Sequence, residues 1–437
     1  LIALHRTLLH EHHDFFLASQ HPYASPALRR LASTYNMPVR MWQHGIYSFL
    51  EILRRRLPES LDYMLTFIYL AYQMMSLLYE TVPTFKEIWI EFLGDLARYR
   101  MAIEDEDIHH KIWNRVAALW YCQAADLNPC SGRLYHHLAI LARKYPLQQI
   151  HYFSRSLTSV TRFAAARKST MTMFTGSVSE CSTAVYATFI TAHKILFEKG
   201  VAATSRECSR TFIKELDDQI GRAAAQWKDQ GVFVAFTNIA SVFDYGSDSP
   251  LRLICKSHSI LRAVGSDDIS SQLFELSQDD YFLSARYLAF STLSVALQRV
   301  GDTNVLPHIH IMLVFFAALS TIPSASVIAT EAPWEKLVSF LNTLSHSIRA
   351  KGDLFSDEPS PLPEDYYLRG QIWSQWYFPE GWFRECDKEE RSFALELSST
   401  TEERKKRVLR LSHRIASMTS NCWISYGESS CLWSVGS

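Results

Sequence analysis

Apolar residues recur every three to four positions along most of the chain, a spacing that predicts helices with one buried face. The segment after Pro38 shows this spacing clearly across 39–53. Two other segments, 61–79 and 311–319, are apolar on nearly every side. The first carries several polar side chains, and the second is shorter than the roughly 20 residues of a membrane span. We therefore expect both to lie inside a helical bundle of a soluble protein.

Turn-forming residues are scarce, with 15 glycines and 15 prolines among 437 residues, which disfavours a turn-rich all-β fold. The pattern of 231–243 fits a strand or a buried helix, and we interpret it as a helix. Small residues follow Leu93 and Leu138 in two similar helix pairs, which is a weak repeat of the tetratricopeptide type. The sequence therefore predicts an all-α fold.

The chain is longer than one compact core accommodates, so two or three domains are expected. The clearest linker is 351–369, which is rich in proline and acidic residues. We predict a helical domain at 1–175, a helical hairpin extension at 176–350, and a linker with a C-terminal helical segment at 351–437. The tail from Ser417 has little pattern and is expected to fray.

Charge is balanced overall, with a formal net charge of −1, so any surface that binds phosphate must be local. No acidic residue occurs between Asp126 and Glu180. Arginine and lysine side chains in this interval predict a cationic surface that could grip phosphates. These nucleic-acid-binding candidates are Arg133, Arg143, Lys144, Arg155, Arg162, Arg167 and Lys168.

Two further observations bear on that surface. Four aromatic residues interleave with the basic ones, as binding of a single strand requires, although such residues are also typical of helix packing. They are Tyr135, Tyr145, Tyr152 and Phe153. Alternatively, the arginines pair with acidic residues elsewhere in the fold, for instance those of the run 104–107.

Signs of catalysis or metal binding are weak. No Walker A loop, nucleophile elbow or kinase signature occurs, and no cysteine pair has zinc-finger spacing. The run 10–14, His-Glu-His-His-Asp, lacks the H-E-x-x-H spacing, and His308 and His310 fit a core or an interface. We predict no catalytic residue, no metal and no cofactor. The sparse cysteines indicate reduced thiols in the cytosol or nucleus.

Several longer blocks resemble a known family. WIEFLGDLARYR, GRLYHHLAILARKYPLQQIHYFSRSL and ARKSTMTMF resemble the telomerase-associated and nonsense-mediated-decay adaptors, the EST and SMG proteins. The resemblance is closer to fungal members described as DNA/RNA-binding domain proteins. It extends from about Phe15 to Arg414 and includes MWQHGIYSFLEILRRRLPES, GDTNVLPHIHIMLVF and WYFPEGWF.

The resemblance implies a 14-3-3-like bundle of tetratricopeptide-type helices followed by an antiparallel helical extension. It also implies a non-enzymatic scaffold of the nucleus or cytoplasm that does not bind membranes. Members of the family dock phosphorylated proteins, or engage telomerase RNA and telomeric single-stranded DNA. The first hypothesis is therefore an adaptor that binds nucleic acid and protein partners through a basic surface. The alternative is a phosphoserine-peptide adaptor without nucleic-acid contact.

The resemblance also implies a phosphate pocket. The segment 94–99, Gly-Asp-Leu-Ala-Arg-Tyr, matches the 14-3-3 element in which Arg98 grips phosphate and Tyr99 donates its hydroxyl. On a neighbouring helix, the two basic positions fall on Tyr47 and Arg54, so a neutral phenol replaces one cation. Arg100 is a further candidate because it follows the pair directly. The basic run 404–407 is interpreted as an import signal or as a solvated helix face.

Overall fold

The computed structural model describes residues 1–176, 183–257, 266–322, 326–347, 361–375, 377–379, 382–383, 398–418, 423–427 and 430–436. The chain forms two compact units, Leu1–Pro129 and Cys130–Ser437. Most of the described residues are helical, which confirms the all-α prediction. The predicted boundaries at 175 and 350 stay predictions about domain organisation.

The first unit is a helical bundle. Its elements are α1 (Ile2–Gln20), α2 (Pro26–Thr34), α3 (Met37–Arg40), a π-helical segment (Met41–Tyr47), α4 (Ser48–Arg54), α5 (Leu61–Thr81), a 3-10 turn (Pro83–Phe85), α6 (Lys86–Ala102) and α7 (Asp107–Leu127).

The core of the first unit is aromatic. Trp89 is fully buried beside Phe16, and the rings of Trp42 and Phe92 stack with centroids 4.4 Å apart. Helix α5 forms where predicted but buries one side only, since Tyr63 on its other side is exposed. A tyrosine tolerates that position because its hydroxyl remains hydrated.

Close contact between α6 and α7 depends on a glycine. A Cβ atom at Gly94 would lie 2.7 Å from Cε1 of Tyr121. Only glycine therefore lets the buried Tyr121 ring lie against α6. This contact places the Tyr121 hydroxyl beside the side chains that follow Gly94 on the helix.

The second unit holds the remaining α-helices and strands of the described residues. They are α8 (Gly132–Leu141), α9 (Pro146–Thr158), α10 (Ala166–Gly176), α11 (Ala184–Phe197), α12 (Ala202–Ala223), α13 (Trp227–Val242), α14 (Pro250–Ser257), α15 (Ser266–Gln278), α16 (Asp280–Gln298), α17 (Leu306–Ser320), α18 (Ser326–Ala329), α19 (Trp334–Ser347), α20 (Asp365–Leu368), α21 (Ser398–Ala416), β1 (Ile424–Gly427) and β2 (Leu432–Val435).

Helix α17 is the centre of the second unit and packs on α13, α16 and α21. Among the described residues, the segment Thr303–Ser320 is long and apolar enough to cross a membrane by length and composition, but 83% of it is buried inside the protein. Its neighbours in the core account for its apolar character. Helix α13 confirms the helical interpretation of 231–243.

The C-terminal part differs from expectation in two places. Leu362, Glu364 and Asp365 are buried, so this part of the predicted linker belongs to the core, whereas 351–360 lies outside the described residues. Strands β1 and β2 form an antiparallel hairpin in the tail expected to fray. Trp423 and Trp433 are buried there, and the burial of their large apolar surfaces stabilises the hairpin.

Candidate anion receptor

Three donors in the first unit surround one carboxylate. Nε and Nη2 of Arg54 donate to the two oxygens of Glu51 at 3.0 and 2.7 Å. The Tyr99 hydroxyl donates to Oε1 of the same carboxylate at 2.7 Å. We call Arg54, Arg98 and Tyr99 the anion receptor. Two of its members therefore bind an anion that belongs to the chain itself.

The helices explain this arrangement. Glu51 and Arg54 are three residues apart on α4, so they lie on the same side of the helix. Tyr99 extends from α6, which contributes the third hydrogen bond. Hydrogen bonds from Arg54 lower the pKa of Glu51, and burial raises the pKa of the Tyr99 hydroxyl. Glu51 is therefore ionised and Tyr99 keeps its proton at neutral pH.

Arg98 is held by two neighbours. Its Nη2 donates to Oδ1 of Asp95 at 3.1 Å, and its Nε lies 3.3 Å from the Tyr121 hydroxyl. The Tyr121 hydroxyl donates to the same Asp95 oxygen at 2.6 Å. Burial lowers the pKa of Arg98, but the interactions with Tyr121 and Asp95 outweigh it and raise the pKa. The guanidinium carbon of Arg98 lies 5.8 Å from the ring centroid of Tyr99, so the two receptor side chains are adjacent.

Arg100 lies away from the receptor, whereas Tyr47 is close enough to Arg54 and Tyr99 to contribute to their raised pKa values. The Arg100 guanidinium contacts Glu104 and lies 5.5 Å from the Trp113 ring centroid, so the structure does not bring it to the receptor. Residues two apart on a helix point about 200° apart, which explains why Arg98 and Arg100 separate. Tyr47 ends the π-helical segment with an exposed side chain.

In the second unit, the predicted nucleic-acid-binding residues Arg155, Arg162 and Arg167 are at least partly buried against the protein. Arg155 is buried with its guanidinium carbon 3.9 Å from the Tyr135 ring centroid, which leaves it no surface for a phosphate. Arg162 donates to the Gly246 carbonyl at 2.6 Å and to Asp248 at 2.9 Å.

Arg167 completes this set. Its Nη1 donates to the Ser247 hydroxyl at 3.2 Å, and its guanidinium carbon lies 4.5 Å from the Phe197 ring centroid. The alternative that arginines of this segment pair with acidic residues elsewhere therefore holds for Arg162, with Asp248 as the partner.

The other four candidates are exposed: Arg133, Arg143, Lys144 and Lys168. Tyr135 and Phe153 belong to the core, but Tyr145 is 66% exposed. Arg143, Lys144 and Tyr145 are consecutive, so they form an exposed basic-aromatic triplet after α8.

A buried ionic cluster was missed by the sequence analysis. Arg404 donates to both oxygens of Glu364 at 2.6 and 2.9 Å, and Arg407 donates to Asp365 at 2.9 Å. His310 lies 2.9 Å from the same Glu364 carboxylate. All five residues are at most 3% exposed. The interpretation of 404–407 as a solvated helix face is therefore wrong for its two arginines.

The charges in this cluster stabilise one another. Burial raises the pKa of Glu364, but the Arg404 charge and the His310 hydrogen bond outweigh it and hold the pKa well below its usual range. The sequence did carry a signal for this cluster. Arg404 and Arg407 are three residues apart on a strongly amphipathic helix, so they lie on the same side of α21.

Metal ligands do not gather in the described part of the chain, where no group of three His, Cys, Asp or Glu side chains could hold an ion. In the run 10–14, His13 lies 3.2 Å from the Thr81 hydroxyl and 3.5 Å from Asp14. His308 and His310 are fully buried, which confirms that they are core residues.

Comparison with known proteins shows that part of this chain is similar to one of them. No family model matches the chain. Over 83 residues the chain is 35% identical to telomerase-binding protein EST1A of Danio rerio. The match covers 18% of this chain and 5% of that protein, so the chain spans a small part of the length of this relative. Weak similarity to an EST-type protein is what the comparison supports.

Proposed function

We propose that this chain is a non-enzymatic adaptor of the EST/SMG type that binds a phosphorylated protein segment through the anion receptor. The observation that carries the proposal is the binding of the Glu51 carboxylate by Arg54 and Tyr99. Two helices thus orient a guanidinium and a phenol toward one anion. The partial similarity to a protein named for telomerase binding supports the EST/SMG assignment.

A phosphate monoester suits these donors. A guanidinium binds phosphate through two parallel N–H groups, as Arg54 binds the carboxylate of Glu51. Tyr99 would donate one more hydrogen bond, and Arg98 would add a second positive charge from the adjacent position. Partners of this chemistry are phosphorylated proteins of telomere maintenance or mRNA decay, in the nucleus or the cytoplasm.

The proposal predicts that Arg54→Ala weakens binding of phosphoserine peptides by about 10- to 100-fold, because a charge-assisted hydrogen bond contributes about 1.5–3 kcal/mol. Fluorescence anisotropy would measure this with peptides selected from a phosphoserine library and with their unphosphorylated forms. Arg56→Ala is the matched control, since Arg56 is an exposed arginine just after α4 and outside the receptor. Equal affinity for phosphorylated and unphosphorylated peptides would refute the proposal.

A second candidate function is single-strand nucleic-acid binding at the exposed triplet of Arg143, Lys144 and Tyr145. Basic side chains beside an exposed aromatic ring are the groups that single-strand binding uses. This function is compatible with the adaptor and uses a different surface of the chain.

For this candidate, we expect the double variant Arg143→Glu/Lys144→Glu to weaken binding of a telomeric single-stranded oligonucleotide. The dependence of log affinity on log salt should also fall by about 1.4, because two fewer phosphates release counterions. Anisotropy titrations at several salt concentrations measure both effects. Arg29→Glu/Arg30→Glu makes the same charge change at an exposed pair on α2. An equal loss in both double variants would mean that overall charge, not this triplet, determines binding.

A further inference from the structure

The anion receptor is already filled by a side chain of the protein. We propose that Glu51 is an internal competitor, which an incoming phosphate must displace and which therefore sets the affinity of the receptor. This inference rests on the proposed function and concerns how the same site is regulated. It gives a role to a residue that no motif of the sequence marks.

Hydrogen-bond capacity supports the inference. Glu51 takes both Nε and Nη2 of Arg54, which form the edge of the guanidinium that would bind a phosphate in bidentate fashion. The Tyr99 hydroxyl has a single proton, and it donates that proton to Glu51 as well. A phosphate cannot use this edge of Arg54 or the Tyr99 proton until the Glu51 carboxylate leaves them.

Charge leads to the same conclusion. Arg54 and Arg98 carry two positive charges at the receptor, and Glu51 and Asp95 carry two negative charges beside them. Tyr47 adds no cation at the position where the 14-3-3 pattern has one. The charges of these four paired side chains therefore cancel while Glu51 remains in place, and moving Glu51 away leaves a net positive charge for the phosphate.

Displacement of Glu51 is feasible because the competing pair is only partly buried. The side chain of Arg54 is 55% exposed and that of Glu51 is 17% exposed. Ion pairs that water reaches in this way are weak, and a phosphate dianion carries twice the charge of the carboxylate. Glu51 should therefore lower the affinity for a phosphorylated ligand without preventing binding.

The test compares the unmodified chain with Glu51→Gln and Glu51→Ala, using phosphoserine peptides and their unphosphorylated forms in anisotropy titrations. Removing the competing charge should tighten phosphopeptide binding by about 2- to 5-fold, the range set by the free energy of a partly exposed ion pair. Binding of the unphosphorylated peptides should stay unchanged. Glu402→Gln is the matched control, because Glu402 also pairs with a cation three residues later, Lys405, and this pair is exposed to a similar degree.

A double variant identifies the released donor. In Glu51→Gln/Arg54→Ala, the gain from Glu51→Gln should disappear, since the guanidinium freed by the first change is removed by the second. Inorganic phosphate provides a probe that needs no peptide: it should raise the melting temperature of Glu51→Gln more than that of the unmodified protein.

The outcomes separate the two proposals. If the unmodified protein binds phosphopeptides and neither Glu51 variant binds them more tightly, the competitor role is overturned and the proposed function stands. A tighter affinity for phosphorylated and unphosphorylated peptides alike would also overturn it, because that is a general effect of charge. If no variant distinguishes phosphorylated peptides, both proposals fail.

Discussion

Replacing Glu364 by alanine should lower the free energy of unfolding by about 3–5 kcal/mol, because the change leaves buried Arg404 without its carboxylate. Arg404 is 2% exposed and binds Glu364 through two nitrogens. His310, which is fully buried, loses the same partner. Bulk water does not reach this depth, so a large penalty is expected for a buried arginine that has lost its bidentate carboxylate.

Urea unfolding followed by circular dichroism measures this loss. Glu402→Ala removes a carboxylate from an exposed pair with Lys405 on the same helix, α21, and should cost less than about 1 kcal/mol. A similar loss in the two variants would contradict the buried placement of Glu364. The comparison is direct because both variants replace a glutamate that binds a cation of α21.

Removing both charges should lower the free energy of unfolding less than removing one charge does. In Glu364→Leu/Arg404→Leu no unpaired arginine remains, and an apolar pair of similar volume often restores stability to a buried site. We therefore expect the double variant to be more stable than Glu364→Ala. If the double variant were the less stable of the two, Arg404 would stabilise the fold through contacts other than the one with Glu364.

The buried cluster shows where sequence reasoning reaches its limit. The helical spacing around Arg404 predicts α21 correctly, because periodicity depends on residues close in the chain. The partner of Arg404 is 40 residues away, in a segment whose prolines and acidic residues are typical of a linker. Composition describes such a segment on average, whereas Leu362 and Leu368 anchor this one in the core.

For the anion receptor, the sequence pointed to Arg54, Arg98 and Tyr99 but not to Glu51, again because the deciding contact is between different helices. Arg54, Arg98 and Tyr99 were identified from a motif, and the structure brings Arg54 and Tyr99 to one carboxylate. Glu51 was missed because a glutamate three residues before an arginine is usually an ordinary surface pair. Only the position of Tyr99, on another helix, shows that this pair occupies the receptor.

The basic segment illustrates the opposite error. The absence of acidic residues between Asp126 and Glu180 is real in the sequence, but burial and distant partners are not visible there. Arg155 packs on aromatic rings, and Arg162 reaches Asp248, 86 residues later. A gap in acidic residues therefore predicts an exposed cationic surface only for the positions that the fold leaves on the outside.

Gly246→Ala is expected to destabilise the protein by about 2–5 kcal/mol, through backbone strain and a collision with the chain. Gly246 has φ +72°, in the left-handed region, and an added Cβ would lie 1.9 Å from the Leu157 carbonyl oxygen. A backbone atom cannot rotate away as a side chain does, so the end of α9 would have to move. The Gly246 carbonyl also accepts the hydrogen bond from Arg162, which would be disturbed.

Gly301→Ala separates the two causes. Gly301 has φ +88° but no atom within 4 Å of the added Cβ, so this variant should show the strain alone, about 1–2 kcal/mol. Urea unfolding of both variants measures the difference, which is the free energy of the collision. If Gly301→Ala lost as much stability as Gly246→Ala, the contact with Leu157 would contribute nothing. A larger loss at Gly246 would show that α9 and the turn bearing Gly246 are packed as closely as the structure shows.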